Sequence, residues 1–218
     1  MCGSASLWGV VVAAGSGERY GDRKQFVALA GRLVVERACD VFPSDAVIGV
    51  VVALPSDPPL LRLPGHAVTV TGGATRRASV RAALGRIPRT ADLVAVHDAA
   101  RPLATPALLF RLLAALHADP GAAGAVPVVP VTDALKRREG SALRSVDRSP
   151  LVTTQTPQLF RADLLRRAHA EAPEGMPGFD DAEVVEAIGG RVLAVDGDLD
   201  NRKLTHPGDL SWLAASCL

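Results

Sequence analysis

The stretch VVVAAGSGERYGDRKQF, residues 10–26, passes from an uninterrupted β-branched run into a loop of Ala, Gly and Ser, and then meets the cations Arg19, Arg23 and Lys24. An apolar run of that length, flanked by a glycine-rich turn, reads as a strand buried on both faces of a parallel sheet. The small residues Ala13, Ala14, Gly15, Ser16 and Gly17 then lie at the mouth of the sheet, where backbone N–H groups can approach a phosphate or a base closely. A plain tight turn is the competing reading of the same residues. The loop is G-x-G-x-R. It lacks the third glycine of a dinucleotide fingerprint and the G-K-[ST] ending of a P-loop, so hydride transfer and P-loop ATPase chemistry are both disfavoured.

Working outward, LWGVVVA (7–13), AVIGVVVAL (46–54), AVTVT (67–71), DLVAVH (92–97) and GAVPVV (124–129) repeat the buried-strand pattern. Helical spacing falls between them, with Val80, Ala83, Leu84 and Ile87 on one face of a first helix and Leu109, Leu112, Leu113 and Leu116 on one face of a second. Thr105-Pro106 offers an N-cap and first-turn proline, DDAEVVEAIGG ends in a glycine pair, and THPGDLSWLAAS begins a last helix with Thr and Pro. Strands alternating with helices predict an α/β fold, a Rossmann-like, mostly parallel sheet flanked by helices, with ligands beyond the carboxyl ends of the strands. The segment VTDALKRREGSALRSVDRSP (131–150) breaks the rhythm. It is polar, turns at Glu139-Gly140, and reads either as a surface loop or as a projecting hairpin arm.

Composition narrows the classes. The chain has 218 residues, 48% hydrophobic and 4% aromatic, enough for one compact core. The formal net charge of +1 gives no global field toward nucleic acid or an anionic membrane, so neither is expected as a partner. Cys2, Cys39 and Cys217 are far apart and without metal-site spacing, which predicts free thiols and a reducing, cytoplasmic setting. The N-terminus has no basic n-region, and no run approaches a membrane span.

Lys24, Lys136 and Lys203 are the only lysines among 24 basic residues. A compact ammonium settles against a single phosphate oxygen where a guanidinium fork is too wide, which gives a reason to keep Lys at particular positions. Asp98, at the tip of the DLVAVH strand, is the candidate ligand for Mg²⁺; a turn or N-cap carboxylate is its alternative. His97 is expected to pack at the strand end. The acidic run DGDLDN (196–201) fails as a calcium loop, because Asn201 stands where Gly is required and Pro207 where the bidentate Glu is required.

With those residues in place, the order of VVVAAGSGERYGDRKQF, TGGATRRASV (71–80), VHDAARP (96–102), PVTDALK (130–136), VDR (146–148), QTPQLF (155–160), FDDAE (179–183) and NRKLT (201–205) resembles the 2-C-methyl-D-erythritol 4-phosphate cytidylyltransferases nearly end to end. That resemblance implies a nucleotidyltransferase fold, CTP and methylerythritol 4-phosphate as substrates, and in-line attack of the substrate phosphate on the α-phosphorus with release of pyrophosphate. It implies transition-state stabilisation by Arg19 and Lys24, and positioning of the attacking phosphate by Arg148 and Lys203. It also implies a nucleotide pocket from Ala13 to Gly17 with Gly73, Arg76 and Ser79. Contacts to the phosphorylated polyol follow for Asp98, Ala99, Arg101, Thr132, Lys136 and Thr156, with Asp98 also at the metal. A homodimer in which an arm over 131–148 completes the partner's site is implied as well. Departures are Val12 and Arg23 where the family usually has Pro, Ala134 where it often has Thr, and Ala74 where some members have an acidic residue. Ribitol 5-phosphate cytidylyltransferase and a catalytically silent nucleotide-binding protein are the alternatives, and pyrophosphate release separates them.

Overall fold

The computed structural model describes residues 5–17, 20–173, 176 and 180–217. In chain order its elements are β1 (Leu7–Val12), a short hairpin of β2 (Ala28–Leu29) and β3 (Arg32–Leu33), α1 (Val34–Ala38), β4 (Gly49–Leu54), β5 (Ala67–Thr71), α2 (Arg76–Leu84), β6 (Leu93–Asp98) and α3 (Pro106–Ala118). There follow β7 (Gly124–Pro130), β8 (Lys136–Glu139), β9 (Ala142–Ser145), β10 (Val152–Thr154), β11 (Gln158–Arg161), α4 (Ala162–Glu171), α5 (Asp181–Glu186), β12 (Val192–Asp196) and α6 (Asp209–Ala215).

Five apolar runs form the strands expected of them. β1 pairs in parallel with β4 and β6, and β4 with β5. β7 takes β12 in parallel and β10 antiparallel. Between β6 and β7 lies β11, antiparallel to both. The two reversed strands, β10 and β11, make the sheet mixed; strands of three and four residues that carry no long apolar run are not separable from loop by pattern alone.

Side chains alternate across the sheet with the period of two that a pleat dictates. Val11, Val50, Val52, Leu93 and Ala95 face α1 and α3, packing with Val35, Leu109, Leu112 and Leu116. Val10, Val51, Val94 and Val96 face the other way onto Val80 and Ala83 of α2, Leu165 of α4 and Val184 and Val185 of α5. Each such side chain contributes about 1.5–3 kcal/mol by leaving water. A charged residue at Val51 or Val94, fully buried in the central strands, would therefore break a whole layer.

Two helix starts differ from expectation. Thr105 does occupy the N-cap of α3 with Pro106 behind it, but its side chain makes no capping bond. The last helix begins at Asp209 rather than at Thr205-Pro207: the Asp209 carboxylate accepts from the backbone N–H of Thr205 and of His206, 2.8 Å each, and so holds the Thr-Pro segment as a turn. The polar segment after β7 forms a separate two-stranded hairpin, β8 with β9, turning through Gly140 at φ 64° with every strand residue exposed. Cys39 is buried, its thiol pushed up to about 12 chiefly by burial; Cys217 is also free, and Cys2 lies outside the described residues.

Candidate active site

Register places the site. Val12 at the end of β1 sits opposite Ala53 of β4 on one side and Asp98 of β6 on the other. The chain leaving β1 therefore enters the gap between two strand ends, and Ala13 N–H donates to Ala53 O at 2.8 Å while Ala99 N–H donates to Val12 O at 3.1 Å. A cleft of about 810 Å³ opens there, with Ala13, Ala14, Gly15, Ser16 and Gly17 as one wall. Gly17 has φ +76°, and a Cβ on it would lie 1.8 Å from Asp22 O, so only glycine allows the loop to fold back so tightly. The buried amide of Gln25 pins the loop from beneath, donating to Ala13 O at 2.9 Å and Gly15 O at 3.0 Å. Sequence reasoning passed over Gln25, although it directly follows Lys24.

The opposite wall comes from the turn after β5 and the start of α2. Gly73 N–H donates to Ser79 Oγ at 3.1 Å, and a Cβ at Gly73 would lie 2.4 Å from Ala78 Cβ. Thr75 caps α2, its hydroxyl accepting from Ala78 N–H at 3.1 Å. Gly73, Arg76 and Ser79 thus line the cleft together, but Ser79 is 2% exposed and spends its hydroxyl on shaping the turn. Ala74 also lines the cleft, without a polar group to offer.

At the floor is an ion-pair chain. Arg76 donates from Nε to Asp98 Oδ1 at 3.0 Å and from Nη2 to Asp181 Oδ2 at 2.7 Å. Lys203 Nζ donates to Asp98 Oδ2 at 2.6 Å. His169 Nε2 meets Asp181 Oδ1 at 3.0 Å. Burial alone would raise the Asp98 carboxyl, but Arg76 and then Lys203 outweigh it and hold the group well below the usual carboxylate range. Asp181 is likewise held down against its burial by Arg76 and His169. The Arg76 guanidinium is raised by the two carboxylates in spite of burial. Asp181 had no role from the sequence; the FDDAE segment was its only signal.

Lys24, Asp98, Ala99 and Lys203 all line the cleft. Five other candidates stand elsewhere. Thr156 is buried, its hydroxyl accepting from Asp98 N–H at 3.0 Å and lying 2.9 Å from His97 Nδ1, so it braces the β6 tip from behind. Thr132, Lys136 and Arg148 are exposed on the segment around the hairpin, where Lys136 Nζ donates to Ser145 Oγ at 2.6 Å. Arg101 donates to Asn201 O at 2.7 Å and Thr154 O at 3.2 Å, tying the loop that bears Lys203 to the sheet rather than lining the cleft. Arg19 lies outside the described residues. Arg23 reaches across the cleft mouth to Asp57, 2.9 Å from Nη1 to Oδ1.

A small-residue cradle at the carboxyl end of a mostly parallel sheet, facing a lysine and a buried carboxylate with its own cations, defines a nucleotidyltransferase. Residues 7–217 match the family described as IspD: 2-C-methyl-D-erythritol 4-phosphate cytidylyltransferase. A relative of that name from Cereibacter sphaeroides is 43% identical over 213 residues, covering 93% of this chain and 92% of the relative. The crystal structure of the enzyme of that name from Thermus thermophilus superposes with a TM-score of 0.80 at 38% identity, over 95% of this chain and 97% of that one. The chain spans 56% of a relative named bifunctional enzyme IspD/IspF from Solidesulfovibrio magneticus, 40% identical over 228 residues. This chain belongs to the 2-C-methyl-D-erythritol 4-phosphate cytidylyltransferase family.

Proposed function

We propose that the chain transfers the cytidylyl group of CTP to 2-C-methyl-D-erythritol 4-phosphate, releasing pyrophosphate. Family membership supports the reaction, and the observation that carries it at the level of residues is the convergence of the Gly15–Gly17 loop, Lys24, Asp98 and Lys203 on one cleft. The base and ribose lie against the backbone of the loop and of Gly73. Lys24, with Arg19 beside it in sequence, draws charge on the nucleotide phosphates toward the leaving pyrophosphate. Lys203, fixed by Asp98, and Arg148 place the acceptor phosphate in line with the α-phosphorus. Phosphoryl chemistry asks mainly for such positioning and charge neutralisation.

The donor set bears on Mg²⁺. Among the described residues no cluster of three His, Cys, Asp or Glu is present, so the protein can offer one carboxylate here, which suits a cation carried mainly by substrate phosphates. Each Asp98 oxygen already accepts one bond and retains a lone pair, so Asp98 can hold the ion without surrendering Arg76 or Lys203. Bound magnesium neutralises charge on the nucleotide phosphates.

Lys136 on the exposed hairpin, and Thr132 and Arg148 exposed on either side of it, all stand outside the cleft lining, which supports a homodimer in which each arm completes the partner's site. A cytoplasmic setting accords with free Cys39 and Cys217; among the described residues no helix is long and apolar enough to cross a membrane. The test is pyrophosphate release with CTP and Mg²⁺, comparing methylerythritol 4-phosphate, ribitol 5-phosphate and no acceptor. Release with the first alone is expected. Release with ribitol phosphate alone would move the protein to another acceptor, and release with neither would leave a nucleotide-binding protein.

A further inference from the structure

At the end of α2 remote from the cleft, a second cavity of about 250 Å³ lies between that helix, the turn after it and α4, lined by Arg81, Leu84, Ile87, Arg89, Arg166 and His169. Three guanidiniums and an imidazole gather there, and among the described residues none of the three arginines has a carboxylate partner. Part of this has ordinary causes. Arg81 stands in the last turn of α2, where a cation suits the helix dipole, and Arg166 Nη2 donates to Ile87 O at 2.9 Å and Pro88 O at 3.2 Å. Arg89 has no such cause, and it sits close enough to Arg166 for the two charges to oppose each other; burial first, and then Arg89, lower the Arg166 guanidinium.

His169 is the second observation. It is 2% exposed, Nε2 is bonded to Asp181, and Nδ1 is buried with no partner among the described residues. A buried imidazole with one face unanswered costs free energy, as does a pair of guanidiniums held near each other without an anion. One ligand chemistry relieves both costs. A tetrahedral oxyanion accepts bidentate bonds from guanidinium forks and a further bond from an imidazole N–H.

We propose that this cavity is a second anion site, built to take a phosphate group, free or carried by a small metabolite, against Arg89, Arg166 and His169. It is distinct from the nucleotide cleft, which lies at the opposite end of α2 and shares no lining residue with it.

The test is histidine imidazole NMR on the full chain, titrated with inorganic phosphate at constant ionic strength, with the His169 resonance assigned through His169→Gln. A saturable shift of that resonance is expected, weakened about tenfold or more in Arg89→Ser. Arg166→Met should weaken it similarly; because Arg166 also holds backbone carbonyls, the exposed Arg89 keeps the test decisive if that variant does not fold. Lys24→Ala should bind phosphate here as the parent does. No saturable shift, or equal binding in Arg89→Ser, overturns the proposal, as does loss in Lys24→Ala alone, which would assign the phosphate to the cleft. Glycerol phosphate is the third arm: tighter binding than inorganic phosphate assigns an organic phosphate, weaker binding the free ion, and both keep the site. No readout depends on turnover.

Discussion

Lys203 donates to Asp98 at 2.6 Å across 105 residues of sequence, and the other Asp98 oxygen belongs to Arg76. The last loop of the chain is thereby fastened to the tip of a central strand by a carboxylate that stays ionised. Removing one member of such a buried set leaves charge without a partner.

Asp98→Asn should therefore cost on the order of 3–5 kcal/mol of stability and lower turnover as well, because Lys203 loses its fixed position. Urea unfolding and steady-state rates on the same preparation check this. A variant as stable as the parent would show that Arg76 and Lys203 find other partners. Since the Asp98 pKa is depressed in the fold, its contribution is complete above about pH 4 and is lost only as pH falls below that toward the folded value.

His97 sets a second pH window. It is fully buried between Arg101 O, to which Nε2–H donates at 3.0 Å, and the Thr156 hydroxyl, which donates to Nδ1; burial lowers its pKa from 6.5 to about 4. The unfolded chain then binds the proton more readily, so the contribution is full above about pH 6.5 and is lost as pH falls toward 4, to a total of about 3 kcal/mol. Urea midpoints measured through this range should decline in the parent. A flat profile would contradict the neutral assignment.

Lys24→Ala should lower kcat by about a hundredfold or more, the scale on which a transition-state donor acts, with a smaller change in CTP binding. Lys24→Arg should not restore it, because a fork replaces a point charge. A pure KM effect would make Lys24 a binding residue only.

Arg23 and Asp57 form an exposed pair at the cleft mouth, worth under about 1 kcal/mol. Asp57→Ala should leave stability almost unchanged while freeing Arg23 for the nucleotide phosphates, lowering KM for CTP a few-fold; Arg23→Ala should raise it. Equal KM values in both variants would make the pair surface decoration.

Arm exchange has a mixing test. Arg148→Ala and Lys203→Ala should each be nearly inactive alone, yet a mixture should regain activity, because one site of each mixed dimer combines an intact Lys203 with an intact Arg148. Additive, unrecovered activity would place both residues in one protomer's site.

The parallel half of the sheet was legible because buried strands advertise themselves as unbroken runs such as GVVVAL, and the loop after β1 because only small residues follow it. The reversed strand β11 was not, since QLFR is short and of mixed polarity. Asp98 and Lys203 were each singled out, but their bond spans far too much chain for spacing to predict. Gln25 and Asp181 escaped for the same reason: their partners are backbone carbonyls and a guanidinium supplied by other elements. Thr156 reads as a substrate contact in its Thr-Pro-Gln setting, and burial gives it a bracing part instead.

Because β11 is threaded antiparallel between β6 and β7, the centre of the sheet is complete only when a strand later in the chain than both is in place. Strands β1, β4, β5 and β6 come from the first half of the chain and can pair by successive crossovers as a ribosome delivers them. The small-residue loop after β1 is then in place early, whereas β11, Asp181 and Lys203 arrive last. Until they do, the carboxylate at the tip of β6 has only the first-half cations Arg76 and Arg101 to answer it, so the nascent chain acquires the shape of the cleft before the cleft's full charge balance.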